Sequence, residues 1–143
     1  MVKGIYGFFG HYRWLSNFHL ANVSFDGVTY ISNEHAYQAA KTLEHSERRW
    51  FSDLATDCKK AKRLGSVVTM QPDWDTIKFS VMKQLNYQKY TNYAYLKEML
   101  LNTEDSYLEE TNTWGDTYWG VCNGNGQNNL GKILMDIRAD LRG

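Results

Sequence analysis

A turn signal followed by a change in hydrophobic period constrains the fold more than any other feature of this sequence. In VSFDGVTY, apolar and polar residues alternate on both sides of Asp26-Gly27, a dipeptide that suits the positive φ angles of a two-residue hairpin turn. From Ser32 the period becomes helical, and the residues on the apolar side are Ala36, Ala39, Ala40 and Leu43. The sequence therefore predicts a β-hairpin followed directly by an amphipathic helix, with Ser32 or Asn33 as its cap.

Further helices are predicted along the rest of the chain. Their ranges are about 57–64, 74–90, 93–101 and 130–141. Gly65 suits the left-handed position after the first of these helices, because it has no Cβ. In the second, the helical period is carried by Ile77, Val81, Leu85 and Gln88. In the last, an apolar stripe is formed by Leu130, Ile133, Leu134, Ile137 and Leu141.

Length and composition indicate one folded domain. The chain has 143 residues, of which 43% are hydrophobic and 22% charged, and no Pro-, Gly- or Ser-rich linker divides it. Strand-like runs do not alternate with the helices, which argues against a doubly wound sheet. We therefore expect a single compact α+β domain over residues 1–143, mainly helical, with a small N-terminal β-hairpin or sheet.

Charge and cysteine content narrow the kinds of partner. Sixteen basic and sixteen acidic residues give a formal net charge of +0, so an anion must be bound by a local site rather than by a global field. Cys58 and Cys122 form no CxxC pair, which suits a reducing compartment. The histidines lack HExxH spacing, and no apolar run has the length of a membrane span. We expect a cytoplasmic protein with no metal, no cofactor and no membrane segment.

One face of the helix after the hairpin is a candidate for chemistry. Glu34, Gln38, Lys41 and His45 follow one another at spacings that align long polar side chains on one side. By pattern alone, a solvated face stabilised by side-chain pairs is the more common explanation. Glu34 lies in the first turn, where the helix dipole favours the ionised carboxylate. An electrostatic or general-base role therefore suits Glu34 better than proton donation.

Two segments before the last helix offer a phosphate site and a second carboxylate. The loop GNGQNN, residues 124–129, precedes the helix, so its backbone N–H groups and the positive helix end could bind a phosphate. An ordinary loop is the alternative, because Asn129 stands where GxGxxG has its last glycine. Asp116 and Trp119, in WGDTYWG, either share a pocket with this loop or form a turn beside a core tryptophan.

Motifs spaced along nearly the whole chain resemble the YbiA/NADAR family. In order, they are LSNF at 15–18, NEHAYQAAK at 33–41, AKRLG at 61–65, Trp74, DTYWG at 116–120 and NNLG at 128–131. Several motifs in one order are far more specific than any one of them.

The resemblance implies hydrolysis of N-glycosidic bonds. In some members the substrates are phosphorylated ribosylamino-pyrimidine intermediates of riboflavin synthesis, and in others ADP-ribose attached to guanine. Carried over by position, the resemblance implies Glu34, Lys41 and Asp116 as catalytic residues and Trp74 and Trp119 as functional tryptophans. These roles fit the chemistry, because departure of the base builds positive charge at the anomeric carbon that carboxylates can stabilise while activating water.

Further residues are expected to bind the substrate. Arg13, Asn17, Gln38, Asn128 and Asn129 are candidates for polar contacts, Arg13 because a guanidinium can bind a phosphate bidentately. Tyr37, Trp74 or Trp119 could stack the base. Lys41 either neutralises a phosphate or, with its pKa lowered by burial, forms a Schiff base with an opened ribose.

The alternative function is a module that binds ADP-ribose or a nucleotide without cleaving it. Such a module has no need for Glu34 and Asp116, which would repel an anionic ligand. Within the enzyme hypothesis, a small nucleotide-like substrate needs only a pocket, whereas ADP-ribosylated DNA also needs a basic surface. The residues that could form that surface, otherwise a solvated helix face, are Lys59, Lys60, Lys62 and Arg63.

Overall fold

The computed structural model describes residues 3–143, and their contacts group into two units. Asn17–Lys89 is called the central unit here, and the chain up to Ser16 together with Tyr90–Gly143 is called the flanking unit. Helices dominate, with small two-stranded sheets beside them, so the mainly helical α+β class is confirmed. The expectation of a single domain over 1–143 stays a prediction.

The elements follow in chain order. They are β1 Gly4–Tyr6, a 3-10 helix Gly10–Leu15, β2 Leu20–Phe25, β3 Val28–Ser32, α1 Asn33–Ala40, α2 His45–Ser52, α3 Cys58–Leu64, α4 Trp74–Asn92, α5 Ala94–Leu101, β4 Tyr107–Glu109, β5 Thr111–Asn112, β6 Val121–Cys122 and α6 Asn129–Arg142.

The predicted hairpin of the central unit is confirmed. Strands β2 and β3 pair antiparallel up to Phe25 and Val28, and Asp26 and Gly27 make the turn with φ of 48° and 79°. A two-residue turn with positive φ at both residues matches the right-handed twist of the flanking strands. The hairpin therefore ends where the sequence placed it.

Helix α1 starts as predicted and stops earlier. The Ser32 Oγ accepts the His35 backbone N–H at 3.2 Å, which caps the helix. The helix ends at Ala40, so the expected extension through Leu43 to His45 is wrong, and Leu43 is exposed. His45 instead opens α2, which the sequence did not predict. Arg48 ties α2 to the rest of the unit by donating from Nε to the Thr42 carbonyl at 2.8 Å.

Helix α3, Cys58–Leu64, agrees with the predicted range, but the glycine that follows it has a different conformation from the one expected. The Asp57 side chain accepts the Lys60 N–H at 2.8 Å. Gly65 has φ of −60°, so the prediction of a left-handed glycine there is wrong. Its N–H bonds the Ala61 carbonyl at 3.0 Å and continues the helical turn. The glycine is explained by close packing, because a Cβ at this position would lie 1.8 Å from Gln38 Oε1.

Helix α4 follows the predicted pattern only in part. Val81 and Leu85 are buried, but Gln88 is half-buried and bonds the backbone of Ser24 through both ends of its amide, at 2.9 and 2.8 Å. The buried row continues four residues beyond Leu85 to Lys89, which is 1% exposed. A lysine is seldom fully buried, so hydrophobic periodicity could not identify this position.

In the flanking unit, helix α6 packs on β4, which belongs to a short parallel pair. Strand β1 pairs with β4 and β5 pairs with β6, both parallel. The predicted α6 stripe is buried from Leu130 to Ile137, while Leu141 is half-buried. A Cβ on Gly131 would lie 2.1 Å from the Leu108 carbonyl oxygen, so the glycine allows α6 to approach β4.

Two features are absent from residues 3–143. None of the helices there is long and apolar enough to cross a membrane. The same residues contain no group of three or more His, Cys, Asp or Glu side chains arranged to hold a metal ion.

Candidate active site

The polar residues of α1 face the interior of the central unit. Glu34 is 7% exposed and Gln38 5%, and every other residue of α1 is buried as well. The hairpin, α2 and α3 all contact this helix and cover it on several sides. The solvated face that the sequence pattern favoured is therefore wrong for Glu34 and Gln38.

The carboxylate of Glu34 is held from within its own helix. Gln38 Nε2 donates to Glu34 Oε2 at 2.6 Å, one turn further along α1. The Glu34 backbone N–H donates to the Asn17 carbonyl at 3.1 Å. A hydrogen bond to an ionised oxygen is among the stronger kinds, so this pair fixes the direction of the carboxylate.

Asn17 belongs to a buried amide cluster at the start of α1. Its Oδ1 accepts from Asn33 Nδ2 at 3.3 Å, and its Nδ2 lies 3.4 Å from Met82 Sδ. Asn33 Nδ2 also donates to Asn86 Oδ1 on α4 at 2.9 Å. The cluster anchors the first turn of α1, which carries Glu34, and the substrate contact expected of Asn17 stays a prediction.

Lys41 directly follows α1 and is half-buried. Its carbonyl accepts the Gln71 N–H at 2.7 Å, and Gln71 Nε2 donates to the Ala40 carbonyl at 2.7 Å, so Gln71 fixes the backbone here with two hydrogen bonds. The ammonium nitrogen lies 5.5 Å from the centre of the Tyr37 ring. Burial lowers the pKa of Lys41, and the neighbouring Glu34 carboxylate acts in the opposite direction.

Two more ammonium groups act on Lys41. The charges of Lys78 on α4 and Lys62 on α3 also lower its pKa, which places both within electrostatic range. Lys62 belongs to the basic face that the sequence marked, whereas Lys78 carried no signal in the sequence. Lys78 is also paired with the Asp75 carboxylate at 3.3 Å. Ammonium groups gathered around Lys41 favour a ligand that carries phosphate.

Tyr37 and Trp74 form an aromatic pair next to Lys41. Their ring centres are 5.1 Å apart at an angle of 57°, and the two residues are 7% and 3% exposed. The rings therefore pack against each other as part of the core that supports α1. Stacking of a base on either ring stays a prediction.

In the flanking unit, Asp116 makes a turn. Its Oδ1 accepts the backbone N–H groups of Tyr118 at 3.2 Å and Trp119 at 2.9 Å. Asn112 clamps the same turn, because its Oδ1 accepts the Asp116 N–H at 3.0 Å and its Nδ2 donates to the Asp116 carbonyl at 2.8 Å. The contacts are those of a turn aspartate, and its catalytic role stays a prediction.

Trp119 and Gly120 complete the DTYWG segment. Trp119 is half-buried and meets Tyr118 edge to face, with ring centres 4.7 Å apart. A Cβ on Gly120 would lie 2.1 Å from the Glu110 carbonyl oxygen. Glycine is therefore required at this position of the motif because residues 110–112 pack too closely to leave room for a side chain.

The GNGQNN loop does not present the free helix end that the sequence suggested. The N–H groups of Gln127, Asn129 and Leu130 donate to the carbonyls of residues 117, 118 and 119 at 2.8, 3.2 and 3.0 Å. A phosphate cradle built from these amides is wrong, because the DTYWG segment already occupies them. Asn128 adopts φ of 54°.

The side chains of this loop also serve the fold. Asn128 Oδ1 accepts the Glu110 N–H at 3.0 Å, and its Nδ2 donates to the Leu108 carbonyl at 2.9 Å. Asn129 Nδ2 donates to Gln127 Oε1 at 3.2 Å. These bonds fix the start of α6 on β4, and contacts of Asn128 and Asn129 with substrate stay predictions.

The structure divides the expected site residues between the two units. The central unit brings together Asn17, Glu34, Tyr37, Gln38, Lys41 and Trp74. The flanking unit holds Arg13, Asp116, Trp119, Asn128 and Asn129, with Arg13 exposed on the 3-10 helix.

Comparison with known proteins shows the family. The NADAR domain model matches residues 7–142. The chain belongs to the NADAR domain family. It is 33% identical over 133 residues to N-glycosidase YbiA of Shigella flexneri serotype 5b, which covers 91% of this chain and 82% of that protein. The NMR structure of the E. coli protein YbiA superimposes with a TM-score of 0.86 and 30% identity, covering 99% of this chain and 87% of that one.

A third relative is larger. A riboflavin biosynthesis protein of Vibrio vulnificus is 32% identical over 139 residues, which are 92% of this chain but 36% of that protein. The family expectation from the motifs is thus confirmed, and this NADAR chain is an enzyme of the N-glycosidase class. Sequence reasoning missed Gln71 and Lys78, whose partners are distant in sequence, and Asn112, whose partner Asp116 is four residues away. It named Gly65 but not its contact with Gln38.

Proposed function

We propose that this NADAR chain hydrolyses the N-glycosidic bond between a ribose phosphate, or ADP-ribose, and the nitrogen of a base. The observation that carries the proposal is the buried Glu34 carboxylate, held by Gln38, with the half-buried Lys41 directly after the same helix. Family membership sets the type of bond, and this cluster supplies groups suited to breaking it.

Glu34 acts on the charge that develops during cleavage. As the base departs, positive charge grows at the anomeric carbon, and an ionised carboxylate in a site with little water stabilises it. The hydrogen bond from Gln38 directs Oε2, so the carboxylate needs no reorientation when the charge appears. The same carboxylate can accept a proton from the attacking water.

The lysines bind the phosphate of the substrate. Lys62 and Lys78 both lie within electrostatic range of Lys41, which directly follows α1. An anionic sugar phosphate would raise the pKa of Lys41 again by favouring its charged form. Electrostatic attraction by these groups offsets the repulsion between Glu34 and an anionic substrate.

Lys41 also has the chemistry for a covalent route. A ribose joined to an exocyclic amine opens to an imine at C1 when the ring oxygen leaves C1 and gains a proton. The neutral Lys41 amine adds to C1, the base leaves as a free amine with its proton, and C1 becomes an imine of Nζ. Water then hydrolyses this imine and the sugar recloses. Burial favours the neutral amine that this route requires, because it lowers the pKa of Lys41.

The substrate we propose first is a phosphorylated ribosylamino-pyrimidine. The similarity to a protein named for riboflavin biosynthesis favours it, as does a local lysine cluster in a chain of formal net charge +0. ADP-ribosyl-guanine, in a nucleotide or in DNA, is the second candidate, because its ribose presents the same bond and the same anionic group. A small nucleotide-like substrate is consistent with the cytoplasmic location that we propose.

The test is incubation of the purified chain with both substrate classes, with mass spectrometry of the released base and sugar. We expect product from at least one class, and Glu34→Gln should lose most turnover while keeping its fold and ligand affinity, because the charge acts chiefly in the transition state. Glu44→Gln, which removes an exposed carboxylate without a side-chain capping bond, is the matched control. Binding without any product would instead support the non-catalytic module, and normal turnover by Glu34→Gln would remove Glu34 from the mechanism.

A further inference from the structure

We propose that Gly65 is a positioning residue for the reaction. Because Gly65 has no side chain, the Gln38 amide packs against it, and the amide in turn orients the Glu34 carboxylate. The inference rests on the proposed role of Glu34. It assigns a function to the last residue of the AKRLG motif, which lies on a different element from the carboxylate.

The backbone at Gly65 does not require glycine. Its φ of −60° and ψ of −20° are ordinary right-handed helical values that any residue adopts. A residue with a side chain would normally be preferred at such a position, because glycine loses more conformational freedom on folding. The reason for glycine must therefore be sought in what surrounds it.

The three heavy atoms nearest to a Cβ built on Gly65 all belong to the Gln38 side chain. A Cβ there would lie 1.8 Å from Gln38 Oε1, 2.5 Å from Cδ and 3.2 Å from Cγ. All three atoms belong to the segment of Gln38 that ends in the amide. The amide is packed directly against the Cα of Gly65.

The hydrogen bonding of Gln38 shows what this packing achieves. Nε2 donates to Glu34 Oε2 at 2.6 Å, whereas Oε1 is buried and makes no hydrogen bond within the part of the chain that the structure describes. Rotating the amide by half a turn would place its partly negative oxygen against the negatively charged carboxylate, which has no proton to donate. An unsatisfied buried acceptor is unusual and calls for a cause. Holding the donor on Glu34 is that cause.

Gln38 has little freedom to make room. It is 5% exposed and sits in the middle of α1, every residue of which is buried. A methyl group on residue 65 must therefore displace the Gln38 amide, which lengthens or breaks its hydrogen bond to Glu34. The carboxylate then loses its fixed direction, although no residue that touches substrate has been changed.

The experiment is a double-mutant cycle of Gly65→Ala and Gln38→Ala. Each single variant should lower kcat by roughly 10- to 100-fold, the scale expected for a small misplacement of a catalytic group, with a much smaller change in KM. The double variant should be no slower than Gln38→Ala alone, because the amide that the methyl group displaces is gone. Val23→Ala, which thins the buried side of the hairpin, controls for a general loss of stability and should keep kcat.

Thermal unfolding gives a second readout that needs no substrate. Gly65→Ala should lower the midpoint in the wild-type background and raise it in the Gln38→Ala background, where alanine at a helical φ is free to stabilise the chain. This reversal of sign supports the packing of the Gln38 amide against Gly65 even if the wild-type chain cleaves neither substrate class. In that case the proposed function fails, but the packing role of Gly65 does not. Additive losses of kcat, or an increase in the midpoint in both backgrounds, would overturn the role of Gly65.

Discussion

Replacing Lys89 by Met tests whether the amine buried in α4 is neutral in the folded protein. Lys89 is 1% exposed, and burial lowers its pKa from 10.5 to about 7. Between these two pKa values, the unfolded chain therefore binds nearly one more proton at this residue than the folded chain does at the same pH. A lowered pKa in the folded state means that stability rises with pH between the folded and unfolded values.

The magnitude follows from these two pKa values. The cost of burying the amine is largest below pH 7 and disappears above about pH 10.5. Between pH 7 and pH 9, linkage gives a gain of about 2 kcal/mol in the free energy of unfolding from Lys89 alone. Met has a similar length and no charge, so the Lys89→Met variant lacks this gain.

The assay is urea unfolding of both proteins at pH 7, 8 and 9. Groups that titrate in both proteins cancel in the difference, so the wild type should gain about 2 kcal/mol relative to Lys89→Met over this range. Lys83→Met, exposed on the same helix, controls for the loss of one positive charge. Parallel stability curves for wild type and Lys89→Met would show that the buried amine keeps its proton, and would refute the argument.

Three further predictions concern the site and its support. If Lys41 attacks as a free amine, kcat should rise as the pH rises through its lowered pKa, and Lys41→Arg should be inactive. Borohydride added during turnover should then attach a ribose-derived mass to Lys41. If Lys41 only contacts phosphate, kcat should fall as the pH rises and Lys41→Arg should stay active. Asp116→Asn keeps an oxygen that accepts the two turn N–H groups, so the melting temperature should change little while kcat falls by about 100-fold. An unchanged kcat would show that Asp116 has only a structural role in the turn. Gly131→Ala places a Cβ 2.1 Å from the Leu108 carbonyl oxygen and should lower the free energy of unfolding by about 1–3 kcal/mol, which chemical denaturation measures; a stable variant would mean that α6 can move off β4.

Local signals explain why part of the fold was predictable. The Asp26-Gly27 turn and the cap of α1 by Ser32 each depend on side chains within a few residues, so the sequence contains all the information needed. The long α4 and α6 have periodic apolar rows for the same reason. By contrast, α2 has only Trp50 and Phe51 as large apolar residues in its eight positions, which leaves no readable period.

The remaining elements depend on distant partners. Strands β1, β4, β5 and β6 have two or three residues each, too few to show alternation, and they exist because parallel neighbours supply their hydrogen bonds. Burial of the α1 polar face has the same origin. Spacing aligned Glu34 with Gln38, but only the packing of the hairpin, α2 and α3 around the helix determines that this side is interior.

The parallel pairing of β1 with β4 has a consequence for synthesis. Gly4 pairs in register with Tyr107, so about 100 further residues must be synthesised after β1 before its partner strand β4 exists. At ribosomal rates of about 5–20 residues per second, this interval is roughly 5–20 s. The central unit draws its contacts from residues 17–89 and can form within that interval. The helix that carries Glu34 is thus expected to fold while the first strand of the chain is still unpaired.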